Sequence, residues 1–202
     1  MIRLIYLFFV LTSFSVINIT PDNEPNKIGS FGPTPKKIIL LPLGRANPRF
    51  IKESHEQLKK YVPNIYLREK ELMPRLAYYK PRDRYRADSL IAWMGKRAKA
   101  NETWIGITMN DISTTKGSNP DYGVMGLGNC PGKACVASEF RVRNKKLFFK
   151  VMIHELGHTT GLPHCPVKTC YMTAANGSDP TAREVGFCDK CTLHLRRAGW
   201  LL

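Results

Sequence analysis

His154, Glu155, His158 and His164 fall in one stretch, His154-Glu155-Leu156-Gly157-His158-Thr159-Thr160-Gly161-Leu162-Pro163-His164-Cys165. On a helix, residues i and i+4 share a face, so His154 and His158 can aim their rings at one point. Zinc takes imidazole nitrogens at about 2.0–2.1 Å and, in catalytic sites, keeps a fourth position open for water. On a straight helix His164 would lie more than a turn beyond His158 and could not close the site. Gly161 is where the chain can break, because glycine accepts positive φ at little cost. Pro163 then disfavours resuming the helix. Glu155 sits beside the two histidines without sharing their axis, which suits a carboxylate that touches zinc-bound water. Zinc lowers the pKa of its water towards about 7. A neighbouring glutamate can take a proton during attack on a carbonyl and pass it to the leaving amine. The expectation is a catalytic zinc on His154, His158 and His164 with Glu155 as general base. A bare H-E-x-x-H also arises by chance on partly buried helix faces; the glycine and third histidine at zinc spacing separate this stretch from that case.

The residues before the stretch agree. Leu147, Val151, His154 and His158 fall on one stripe of a helix expected over Lys145 to Thr159, so the histidines continue an apolar, inward face. Four of the six cysteines follow: Cys165, Cys170, Cys188 and Cys191. The Cys-x4-Cys and Cys-x2-Cys spacings point to one structural zinc on four thiolates, with two disulfides as the alternative. Cys130 and Cys135 fit either a small loop disulfide or two free thiols.

H-E-x-x-H-x-x-G-x-x-H resembles the zinc signature of metzincin metallopeptidases. Cys165 directly after the third histidine, then Cys170-x-Met172 and Cys188-x-x-Cys191, is similar to the archaemetzincins, from about Phe149 to Cys191. The resemblance implies a second, cysteine-bound zinc and places Met172 as an apolar floor under the catalytic one. It also implies that an edge strand over Val124 to Leu127 pairs with a peptide or protein substrate. The run between Met172 and Cys188 is shorter than in the family pattern, which bears on loop length.

Composition bounds the rest. The 202 residues suffice for a sizeable core, and 43% hydrophobic content is ordinary for a globular protein. The formal net charge of +15 fits a basic exported protein, and it also fits attraction to acidic peptides, nucleic acid or anionic surfaces. Residues 1–19 open with Arg3 and an apolar run too short for a comfortable span, so they read as a signal peptide or N-terminal anchor. Export is therefore expected, periplasmic or secreted, with membrane contact only through that segment if it stays uncleaved. Residues 20–35, rich in proline, read as a linker.

The fold class expected is α+β, a metzincin-like zincin. A twisted mixed sheet is to carry the active-site helix in an upper subdomain, residues 36–160. A small, mostly helical lower subdomain, residues 161–202, is to hold the methionine turn and the cysteines. Strands are read at Lys36–Leu43, Asn64–Arg68, Trp104–Asn110, Tyr122–Gly128 and Val136–Val142. Helices are read from Pro48 to Tyr61, up to Ala100 behind a cap at Asp88-Ser89, and from Lys190 to Gly199. Tyr78–Arg86 and Asp111–Asp121 read as loops. The function expected is a monomeric zinc peptidase. The alternative is a zinc-stabilised binding protein, basic and ribbon-like at its cysteines, that holds nucleic acid without hydrolysis.

Overall fold

The computed structural model describes residues 36–202. The segments read as signal or anchor and as linker lie outside the described residues. Among the described residues no helix is long and apolar enough to cross a membrane.

In chain order the first elements are β1 (Lys37–Pro42), α1 (Pro48–Lys59), β2 (Ile65–Leu67), β3 (Tyr78–Tyr79), β4 (Arg84–Arg86) and α2 (Ala87–Arg97). There follow β5 (Glu102–Thr108), β6 (Ile112–Lys116), β7 (Asn119–Val124), β8 (Gly126–Gly128), β9 (Ala134–Ser138), α3 (Phe148–Thr159) and α4 (Asp189–Arg197). The main sheet has the order β2-β1-β5-β9-β8. It is parallel from β2 to β9, and β8 closes one edge antiparallel to β9.

The unbroken run Ile38-Ile39-Leu40-Leu41 has no polar alternation, as suits a strand covered on both faces. Ile38 and Leu40 join one core with Ile105, Ile107 and Ala137, under Phe50 and Leu58 of α1 and Val151 and Leu156 of α3. Ile39 and Leu41 join the other, under Leu90 and Met94 of α2. Helix α3 is buried along almost its whole length, against β8, β9 and α1. Phe50 and Phe148 meet with ring centroids 5.3 Å apart. The start of α1 is as expected: Asn47 Oδ1 accepts from Phe50 N–H at 2.8 Å, with Pro48 in the first turn.

Two stretches read as loops are strands. Tyr78–Arg86 and Asp111–Asp121 contribute β3, β4, β6 and part of β7 to a second sheet, ordered β3-β4-β6-β7. Their polarity hid them, because several of the side chains turned inward are polar. Thr114 Oγ1 donates to Asp88 at 2.8 Å, and Arg141 forms two hydrogen bonds with Asp111 at 2.7 and 2.8 Å. The same pairing removes the expected cap on α2. Arg86 holds the cap position without a side-chain bond, and Asp88, one residue into the helix, spends its carboxylate on Thr114 and Arg86.

The 160/161 boundary falls at a turn within shared packing, since Leu162, Met172, Cys191, Leu195 and Trp200 belong to the core beneath α1 and α3. Helix α4 is the helix of this lower part; most of the remainder is turn and loop.

Strand β8 and α3 approach closely. A Cβ on Gly128 would stand 2.7 Å from the backbone oxygen of Glu155. Gly128→Ala is therefore expected to destabilise the protein by about 1–3 kcal/mol by overpacking. Urea unfolding should show a lower midpoint at an unchanged slope.

Candidate metal centre

Helix α3 ends where the sequence allows it to. Gly161 has φ +91°, its N–H bonds to His158 O at 2.9 Å, and Leu162 N–H reaches back to Gly157 O at 3.4 Å. This pair of bonds is the Schellman arrangement, which satisfies the last carbonyls of a helix and turns the chain aside. The turn brings His164 back to the two helical histidines. Ring centroids lie 4.7 Å apart for His154–His158, 5.3 Å for His154–His164 and 4.7 Å for His158–His164. One nitrogen from each ring lies within 4.8 Å of the other two.

Backbone carbonyls set the tautomers. His154 Nδ1 lies 2.7 Å from Tyr171 O, and His158 Nδ1 lies 2.8 Å from Leu162 O. A carbonyl only accepts, so each Nδ1 carries the proton and each Nε2 keeps its lone pair. These two Nε2 atoms face one another at 3.0 Å. Two acceptors at that distance call for a cation between them, and the donor set of three imidazoles is what zinc takes. Burial first, then His158, pushes the His154 ring down to about 3. Burial also lowers His158, and it lowers His164 together with Lys116. All three rings are thereby kept neutral, the form that binds a metal.

Glu155 is buried beside them, against the edge strand. A Cβ on Gly126 would stand 2.5 Å from Glu155 Oε1, so only glycine leaves room for this carboxyl. Burial pushes it up to about 8. Val124, expected in the edge strand, ends β7, and the edge itself is Gly126–Gly128. An open cleft of about 670 Å³ runs between this edge and the chain after the methionine; His154, Glu155 and His164 line it. Met172 is fully buried, with Sδ 2.7 Å from where a Cβ of Gly157 would stand, so it packs under the histidine helix. Ala174 also lines the cleft. His194 lies elsewhere, bonded through Nε2 to Thr160 at the end of α3.

The four later cysteines also converge. The Sγ atoms of Cys165, Cys170, Cys188 and Cys191 lie within 4.8 Å of one another, and all four are free thiols. Cys165 and Cys188 are 3.7 Å apart; tetrahedral zinc with bonds of about 2.3 Å sets its sulfurs about 3.8 Å apart. The N–H groups of Met172 and Cys188 both point at Cys170 Sγ at 3.5 Å. Cys165 follows His164 directly, and its N–H bonds to Met172 O at 2.7 Å. Cys130 and Cys135 are free as well; Cys135 is buried in β9 and Cys130 is exposed.

Comparison with known proteins agrees with this geometry. The model of peptidase family M54 matches residues 56–197. The chain belongs to that family, the archaemetzincins. The archaemetzincin of Methanopyrus kandleri is 30% identical over 150 residues, covering 70% of this chain and 83% of its own. That of Haloarcula marismortui is 28% identical over 175 residues, covering 76% and 96%. The crystal structure of the Methanopyrus kandleri archaemetzincin superimposes with a TM-score of 0.67 at 27% identity, covering 81% of this chain and 95% of that one. The archaemetzincin of Archaeoglobus fulgidus, crystallised with malonate, shares the fold at a TM-score of 0.64 and 23% identity, covering 78% and 99%. As a member of this peptidase family the chain is a zinc metallopeptidase, a hydrolase of peptide bonds. The non-hydrolytic binding alternative is not favoured.

The structure brings together the seven side chains whose spacing pointed to metal, three histidines and four cysteines, with Glu155 beside the histidines in the cleft. Sequence spacing missed the carbonyls of Leu162 and Tyr171 and the packing of Glu155 on Gly126, for which no residue type is a marker. It also missed that Lys150, one turn before His154, is buried and lines the cleft.

The pH behaviour of metal-free protein follows from these shifts. Folded Glu155 keeps its proton to about pH 8, against an ordinary 4.5. Between those values the folded state binds more protons than the unfolded one, so stability falls as pH rises. His154 acts in the opposite sense, costing stability as pH falls below 6.5 towards about 3. Above pH 6.5 the histidine effect is complete and Glu155 dominates, so chelator-treated protein is expected to lose stability from pH 6.5 to pH 8, and Glu155→Gln to flatten that slope, in urea titrations at stepped pH.

Proposed function

We propose that this chain hydrolyses peptide bonds at one zinc held by His154, His158 and His164, with Glu155 as the general base. A second zinc on Cys165, Cys170, Cys188 and Cys191 serves structure alone. The observation that carries the reading is the pair of Nε2 lone pairs facing each other at 3.0 Å, each fixed by a carbonyl behind its ring.

Zinc bound there would supply Lewis-acid activation of water and of the scissile carbonyl. The histidines hold the ion, and the carbonyls of Tyr171 and Leu162 keep their rings from turning. A cation on the rings also makes the adjacent Glu155 carboxyl easier to ionise. Glu155 then takes the proton of the attacking water and gives it to the leaving amine. The unpaired edge of β8 offers backbone N–H and C=O groups to an extended peptide, which would add as a further strand. Met172 keeps the underside of the centre dry and packed. The apolar N-terminal segment supports export, with that segment cleaved or kept as an anchor.

Glu155→Gln is expected to retain metal while losing at least about 10²-fold in kcat. Elemental analysis beside a peptide-cleavage assay checks both, and a mutant as active as the parent would remove the mechanism. Purified protein is expected to hold two zinc ions per chain. Cys170→Ser should lose one of them together with thermal stability, whereas His158→Ala should lose the other with less effect on folding.

A further inference from the structure

Lys150 is an unusual residue to find in the cleft. It lies on α3 four residues before His154, on the same face, and is only 7% exposed. Its Nζ donates to Thr181 O and Glu184 O, both at 2.6 Å, and stands 5.6 Å from the centre of the Tyr171 ring. Among the described residues it forms no ion pair. A buried ammonium is normally matched by an anion.

The acids nearby do not supply one. Burial pushes Glu184, itself only 4% exposed, up to about 7 against the pull of Lys150. For Asp179 burial works upward too, but hydrogen bonds from Arg143 N–H and from the N–H and hydroxyl of Thr181 outweigh it and hold the group low. Its oxygens are spent on that turn. Of the other cations lining the cleft, Arg141 is tied to Asp111, whereas Arg143 and Lys116 are exposed and form no ion pair among the described residues.

We propose that the inner end of the cleft receives a substrate carboxylate beside the scissile bond, with Lys150 as its seat and Arg143 at its mouth. The inference rests on the cleft being the peptide site, and it narrows the substrates to peptides with a carboxylate close to the scissile bond. A carboxylate there completes the ion pair that Lys150 lacks, beside the Thr181 carbonyl that already accepts from it. The carboxylate comes from an aspartate or glutamate side chain, or from the peptide's own C-terminus.

The test uses matched peptides, Glu against Gln on either side of the cleaved bond, and free acid against amide at the C-terminus. The zinc-loaded protein is expected to prefer the acidic member by about tenfold or more in kcat/KM, mostly through KM. Whichever pair shows the preference names the source. Lys150→Met should abolish the preference, raising KM for the acidic member of each pair towards that of its neutral partner. Should Lys150→Met fail to fold, Arg143→Ala must still reduce the preference. In the parent protein, raising salt from about 0.05 to 0.5 M must reduce it as well. Fluorescence anisotropy of labelled peptides on the Glu155→Gln protein reads binding without turnover. Equal binding and equal cleavage of acidic and neutral peptides overturns the proposal and leaves the peptidase reading intact. Preferential binding of the acidic peptide without cleavage by the parent protein supports the proposal and counts against the peptidase reading.

Discussion

The carbonyls of Leu162 and Tyr171 govern what the histidines can do. Each accepts from an Nδ1, and each thereby leaves an Nε2 lone pair with nowhere to go except towards its neighbour. Neither carbonyl would be in place without the chain beyond α3. Leu162 O is presented by the turn at Gly161, and Tyr171 O by the short stretch that leads into Met172. One local conformational event, the end of a helix at a glycine, both returns the third histidine and locks the ring of the second.

A buried helix makes such an arrangement rigid. Helix α3 is packed against the sheet and α1, so its side chains are fixed by neighbours on nearly every side. That confinement keeps the rings neutral and raises Glu155, because charge is costly where water is absent. The glycine of the edge strand opposite Glu155 completes the fit. The space its missing side chain leaves is filled by the carboxyl.

Legibility followed the range of the interaction. Ligand spacing along α3, the glycine break and the cysteine spacings are local, so residue types alone expose them. The run Ile38–Leu41 was equally plain, since only a strand covered on both sides tolerates it. The second sheet was hidden because Arg84, Asp111, Thr114 and Asp121 look like loop residues until their partners, far away in the chain, are known. The expected cap at Asp88 failed for the same reason, as Thr114 claims that carboxylate. Lys150 sits among apolar neighbours on α3, and nothing in its local sequence says that two carbonyls from residues 181 and 184 will enclose its ammonium.

His164 belongs to one cluster and Cys165 to the other, and a single peptide bond joins them. Neighbouring Cα atoms are about 3.8 Å apart, a fixed length that no rotamer can stretch. The two centres are thus yoked, and neither can drift, rotate or be rebuilt alone. An inserted or deleted residue between them would misalign both at once. A change in chain length is easier to accommodate in a segment that does not join the two centres so directly, such as the run from Met172 to Cys188.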